Sequence, residues 1–219
     1  MTEYRWKKLG VVVSPNSDVG WMSTYAGPSF VRIENGTVLI YVSGRDDENV
    51  SRVGVVRVSL QGESHQIIDI SPTPCLDIGK VGLFDENGAS YPCLVSHNDQ
   101  YFMYYVGWVN GGKSRFQNYT GIAVSDDGYS FERVKNTPIL DRTDVEPYGS
   151  GSCFVWIENG MFKMYYTAFE PWIEMKGKNQ PRYNLKLATS SNGIDWERKQ
   201  QVIIDFKDEY EHAISKPSL

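Results

Sequence analysis

Apolar and polar residues alternate along most of this chain, and the alternation is broken at short Gly- and Asn-containing turns. Period-two alternation of this kind marks strands with one buried face. Three segments repeat one design. They read GPSFVRIENGTVLIYVSG over residues 27–44, YPCLVSHNDQYFMYYVGW over 91–108 and GSCFVWIENGMFKMYYTAF over 151–169. Each is an apolar strand, a polar turn and an alternating, aromatic-rich strand. The turns fall at Glu34-Asn35-Gly36, His97-Asn98-Asp99 and Glu158-Asn159-Gly160. Asn-Gly between alternating runs signals a two-residue hairpin, because its turn needs positive φ at both central residues. A second matched hairpin follows in two units, TGIAVSDDGYSFERV (120–134) and LKLATSSNGIDWERK (185–199). The first unit has a degenerate counterpart, SRVGVVRVSLQGES (51–64).

Two hairpins per unit make four strands. Pro28, Pro92, Ser152 and Pro217 mark the same place in successive units, spaced 64, 60 and 65 residues apart. A four-stranded antiparallel sheet repeated at a fixed interval is a propeller blade. No window carries a helical period. The expected fold is therefore an all-β propeller in one domain. Blade 1 spans about 20–80, blade 2 about 81–142, blade 3 about 143–205, and a fourth blade begins at about 206–219. Three blades and one strand cannot close a ring, so the chain reads as C-terminally incomplete.

Composition narrows the class. The 14 Tyr, 9 Phe and 6 Trp suit pleated sheets rather than helices. A net charge of −5 with interspersed signs offers no basic patch, which argues against nucleic acid as a partner. No run approaches the ~18 apolar residues of a membrane span, and the run at 9–13 is too short for a signal sequence. A cytoplasmic protein with no membrane partner is expected; the oligomeric state is left open. Cys75, Cys93 and Cys153 form no CxxC pair and read as reduced, buried thiols.

With both hairpin motifs placed, the chain resembles the five-bladed propeller glycosidases, among them glycoside hydrolase families 32, 43 and 130. The residues that carry the likeness are Phe84-Asp85-Glu86-Asn87-Gly88 ahead of Pro92, then Tyr104-Tyr105-Val106-Gly107-Trp108. They continue with Ser125-Asp126-Asp127-Gly128, Met164-Tyr165-Tyr166 and Ser190-Ser191-Asn192-Gly193-Ile194-Asp195-Trp196. The likeness covers residues 20–219. It implies a carbohydrate substrate, cleavage of a glycosidic bond with inversion, and acids at the blade edges in the catalytic roles.

Three acids recur at matching offsets before inner strands. Asp85 precedes Pro92 by seven residues, Glu146 precedes Ser152 by six, and Glu211 precedes Pro217 by six. Equivalent positions in a propeller ring one funnel, so these acids are expected to converge. One protonated carboxyl group would serve the leaving oxygen and one carboxylate would activate water. Glu146 or Glu211 is the candidate acid, and Asp85 the candidate base or modulator of that acid. The blade-1 base that the resemblance implies directly before Pro is absent, since Gly27 stands there. Asp46 is one substitute. Alternatively phosphate is the nucleophile, held by Arg45, Arg52 or Arg142 through charge-assisted bonds. Substrate contacts are expected from Arg45, Asp46 and Arg52 on the rim, and from the aromatic faces of Trp108, Trp172 and Tyr183. The histidines lack metal-ligand spacing, and no cofactor motif occurs. The leading reading is a glycoside hydrolase. A glycan phosphorylase and a non-catalytic carbohydrate-binding propeller are the alternatives.

Overall fold

The computed structural model describes residues 7–8 and 10–219. The described chain is all-β, with twelve strands in three four-stranded antiparallel sheets. Blade 1 holds β1 (Tyr25–Glu34), β2 (Thr37–Arg45), β3 (Ser51–Gln61) and β4 (Ser64–Ile70). Blade 2 holds β5 (Ala89–His97), β6 (Gln100–Asn110), β7 (Phe116–Ser125) and β8 (Glu132–Arg133). Blade 3 holds β9 (Ser150–Glu158), β10 (Met161–Met175), β11 (Lys178–Ser190) and β12 (Glu197–Ile204). Within each blade the strands pair in sequence order, and the first strands meet in turn, β1 against β5 and β5 against β9. This is the meander of a propeller blade, with the first strand of each on the inside.

The inner hairpins turn where the sequence places them. Asn35-Gly36, Asn98-Asp99 and Asn159-Gly160 all have φ between 48° and 78°, the left-handed pair that an Asn-Gly hairpin requires. The second hairpins share a side-chain clasp. Asp127 Oδ1 accepts from the Tyr129 and Ser130 amides at 2.7 and 3.0 Å. Asn192 Oδ1 accepts from the Ile194 and Asp195 amides, both at 2.9 Å. One side chain thus satisfies two turn donors in each blade.

The core lies between blades. Leu39, Tyr41, Val53 and Val55 of blade 1 face Leu94, Met103, Tyr105 and Phe131 of blade 2. Phe102, Tyr104 and Ile122 of blade 2 face Val155, Phe162, Met164 and Tyr166 of blade 3. Burying each such side chain contributes about 1.5–3 kcal/mol. Tyr41 donates its hydroxyl to the Gly128 carbonyl at 3.0 Å, and Tyr104 to the Gly193 carbonyl at 2.9 Å. Blades 1 and 2 therefore each bond the far turn of the next blade. Cys75, Cys93 and Cys153 are buried free thiols, and burial pushes Cys75 up to about 12 and Cys93 to about 11. Among the described residues no helix is long and apolar enough to cross a membrane.

Strand register breaks on the inner hairpins, between Ala26 and Ser29, Ser90 and Cys93, and Tyr166 and Ala168. The breaks fall beside Pro28, Pro92 and Ser152. They re-aim the residues before them, a frequent use of a bulge near a functional site. Tyr91 and Lys216, each directly before a proline, hold left-handed φ of 55° and 56°. The segment after β12 reaches the same level, where Tyr183 and Ala213 form a parallel bridge.

Candidate functional site

The re-aimed residues open a pocket at the top of the inner strands. It has a volume of about 70 Å³, and its walls include Tyr91, Trp108, Phe116, Phe169 and Tyr183. Their rings form a continuous arc. Trp108 meets Phe116 at 5.2 Å, Phe116 meets Phe169 at 6.3 Å, and Phe169 meets Tyr183 at 5.1 Å between centroids. Trp172 extends the arc behind Phe116, at 5.6 Å. Trp108 Nε1 donates to Ser90 Oγ at 2.6 Å, which fixes the indole's orientation. Burial pushes the Tyr91 and Tyr183 phenols up, so both stay neutral hydroxyls that can donate as well as accept.

The polar wall consists of Asn118, Ser152, Thr167 and Ser215. Ser152 Oγ and Thr167 Oγ1 share a bond of 3.1 Å, and Ser152 Oγ accepts from the Lys216 amide at 2.9 Å. Asn118 differs. It is 7% exposed, and its Oδ1 has no hydrogen-bond partner among the described residues. An unpaired buried acceptor costs about 1–3 kcal/mol, a cost that a ligand hydroxyl removes. Among the described residues no carboxylate lines this pocket. A small cleft continues it across Tyr91 towards Tyr25, Ser43 and Arg45. There the Arg45 guanidinium lies over the Tyr25 ring at 4.6 Å.

Asp85 and Glu146 are drawn away from this funnel, which corrects the expectation that all three acids converge on it. Asp85 is 0% exposed. Its Oδ2 accepts from Tyr105 Oη at 2.8 Å and from Arg133 Nε at 2.7 Å. Glu146 is 4% exposed, and it accepts from Tyr166 Oη at 2.8 Å and from Arg198 Nη1 at 2.9 Å. Tyr105 and Tyr166 hold the same place on β6 and β10. Arg133 and Arg198 do so on the outer strands, opposite Ala123 and Ala188. The two acids thus belong to one repeated clasp that ties each inter-blade linker to its own sheet. Blade 1 fills the same three places with Met22, Val42 and Ile70, an apolar cluster; Ile70 lies opposite Val56 as the arginines lie opposite their alanines. Matching offsets therefore record a packing position. Glu211 is half-buried and accepts from the Lys207 amide at 2.7 Å.

The other expected residues divide. Trp108 and Tyr183 line the pocket, Arg45 lines its continuation, and Trp172 stands behind Phe116. Asp46 and Arg52 pair with each other, and Arg52 Nε also donates to Asp77 at 2.7 Å. Asp46 further accepts from the Glu48 and Val50 amides, so the pair closes the β2–β3 turn. Arg142 donates to the Tyr119 hydroxyl and to Gln117 outside the pocket. At Gly27 an added Cβ would come within 2.1 Å of the Tyr25 ring, so a side chain at the blade-1 position would require that ring to move. Among the described residues no His, Cys, Asp or Glu group is arranged to hold a metal ion. The sequence reading missed Tyr91, Phe116, Asn118 and Phe169. For Phe169 a signal existed, because Arg45, Trp108 and Phe169 hold corresponding positions in the three repeats.

No family model matches the chain. It is 31% identical to the uncharacterised protein Rv1502 of Mycobacterium tuberculosis over 213 residues, 97% of this chain and 70% of that protein. The chain belongs to the family of Rv1502. A shorter match, 36% identity over 83 residues, covers 38% of the chain and 26% of a 1,2-β-oligomannan phosphorylase from Thermoanaerobacter sp.. Among solved structures, a glycosyl hydrolase from Bacteroides ovatus superposes with a TM-score of 0.64 at 18% identity, over 92% of this chain and 57% of that one. A second structure belongs to a study of the GH130 family of mannoside phosphorylases, which contains hydrolases of β-1,2 mannosidic linkages in Candida mannan. It superposes with a TM-score of 0.66 at 16% identity, over 90% of this chain and 59% of that one. The Rv1502 family thus has the propeller fold of the glycosidases, as its motifs implied. This chain spans less than two thirds of the length of those two solved chains.

Proposed function

We propose that the aromatic pocket binds a saccharide and that the protein acts there on a glycosidic bond. The observation that carries this reading is the buried, unpartnered Asn118 Oδ1 inside an arc of aromatic rings. Aromatic faces cover the C–H faces of a sugar ring, while the amide and hydroxyl groups orient its hydroxyls. The likeness to carbohydrate-active propellers supports the same substrate class. Of the three acids read from the sequence, Glu211 is the one that retains solvent access, and it is the general acid in this proposal.

Transfer to phosphate is the second reading. Arg45 favours it, because it makes no ion pair among the described residues and lines the cleft that continues the pocket. Calorimetric titration with manno-, gluco- and galacto-oligosaccharides, β-1,2-linked mannotriose among them, tests the site. Phe169→Ala is expected to weaken binding at least tenfold; equal affinity would sink the assignment. Product analysis with and without phosphate separates sugar 1-phosphate from free sugar. Glu211→Gln is expected to lower turnover at least tenfold, and unchanged turnover removes Glu211 from the reaction.

A further inference from the structure

Blade 3 departs from its neighbours at one repeated position. In blade 1 the Trp21 ring lies on Gly44 and Gly54, so closely that an added Cβ would come within 2.6 and 2.2 Å of it. In blade 2 Phe84 lies on Gly107 and Gly121 in the same way, at 2.5 and 2.6 Å. The corresponding residues of blade 3 are Ala168 and Lys186, since Tyr166 pairs with Lys186 as Tyr105 pairs with Gly121. The residue that should supply the aromatic plug is Val145, which is 70% exposed. Lys186 takes the vacated space and spans Glu146 at 3.3 Å and Glu170 at 3.2 Å.

A groove of about 390 Å³ opens beside it, lined by Glu170, Arg182, Asn184, Lys186, Asp205 and Phe206 among others. Five buried side-chain polar atoms lack a partner among the described residues, and two of them, Arg182 Nε and Asn184 Oδ1, belong to residues that line this groove. Asn184 is 4% exposed, and its Nδ2 donates to Asp205 Oδ1 at 3.1 Å, which leaves the carbonyl oxygen unserved. The Arg182 guanidinium rests over the Phe206 ring at 4.0 Å and makes no ion pair among the described residues. The corresponding groove of blade 2 has its polar floor occupied, because Arg142 bonds Tyr119 and Gln117. An unserved acceptor beside an unserved donor complements adjacent hydroxyl groups, of which one donates to Asn184 and the other accepts from Arg182.

We propose that this groove is a second saccharide site, one that recognises adjacent hydroxyls; the ligand class rests on the funnel reading. The two sites stand back to back on one hairpin. Phe169 pairs with Tyr183, and the next pair, Glu170 with Arg182, points to the opposite face. The groove therefore takes its own ligand segment and does not extend the funnel.

Calorimetry and amide chemical-shift mapping with the same neutral oligosaccharides test the assignment. The wild type is expected to bind two equivalents. Arg182→Ala and Val202→Trp, the latter filling the groove from an exposed strand position, are each expected to bind one, with funnel affinity within about twofold of wild type. Two independent variants guard against a folding artefact, and thermal melts are read alongside. Phe169→Ala is expected to keep the groove equivalent. If both groove variants still bind two equivalents, or if Phe169→Ala alone abolishes all binding, the second site is refuted and the funnel reading stands. If no oligosaccharide binds the wild type, both readings fall.

Discussion

Asp127 is an exposed carboxylate with a structural task, and its environment predicts how it responds to acid. The Tyr129 amide, the Ser125 hydroxyl and the Ser130 amide hold its carboxyl below the usual aspartate range. A group depressed in the folded state adds stability above its unfolded value, and that stability is lost as pH falls through the folded value. The loss therefore falls below about pH 4. Asn192 does the same work in blade 3 without a charge. Asp127→Asn is accordingly expected to melt at the wild-type temperature near pH 7 and to show a shallower decline between about pH 4 and 2. Asp127→Ala should lose about 1 kcal/mol at neutral pH, because two turn amides lose their acceptor. An unchanged acid limb in Asp127→Asn would show that the clasp does not couple to protonation. At this scale the sequence was explicit about the turn, since Asp127-Gly128 and Asn192-Gly193 mark it. It was silent about Asn118, whose importance comes only from what surrounds its amide.

At the scale of the element, the repeated clasp decides what the acids are for. Asp85 with Tyr105 and Arg133 forms a buried charged cluster, whereas blade 1 builds the same junction from Met22, Val42 and Ile70. Both chemistries close a blade, so charge at this place is dispensable while pairing is not. Arg133→Ala strands a buried carboxylate and is expected to cost about 3–5 kcal/mol. The triple variant Asp85→Met, Tyr105→Phe, Arg133→Ile removes the charge and its partners together. It is expected to melt above the single variant and to bind oligosaccharide as the wild type does. A triple variant that melts below Arg133→Ala, or that loses binding, would contradict a purely structural clasp. The spacing of these acids was legible in the sequence, but their direction was not. A position six or seven residues before an inner strand can face the funnel or the sheet, and only the Tyr and Arg partners on more distant strands choose between them.

At the scale of the whole molecule, hydroxyl-to-carbonyl bonds between blades add to the apolar contact that holds them together. Tyr41→Phe leaves the Gly128 carbonyl without its side-chain donor and is expected to cost about 1–2 kcal/mol in urea unfolding. Tyr104→Phe should cost less, about 0.5–1 kcal/mol, because Gly193 still accepts from Trp196 Nε1 at 3.1 Å. The two changes act at different interfaces and should add; strong non-additivity would mean that the two interfaces are energetically coupled. The sequence by itself determined the blade count of this chain, the strand order and the hairpin turns. Those follow from alternation and left-handed Asn-Gly pairs, which are local and period-two. Only the tertiary structure decided the site. Trp108, Phe116, Asn118, Phe169 and Tyr183 come from four strands of two blades, and their convergence depends on how those two blades pack against each other. Equal spacing in a repeat guarantees equal position, and the neighbours at that position decide whether a carboxylate meets a ligand or an arginine.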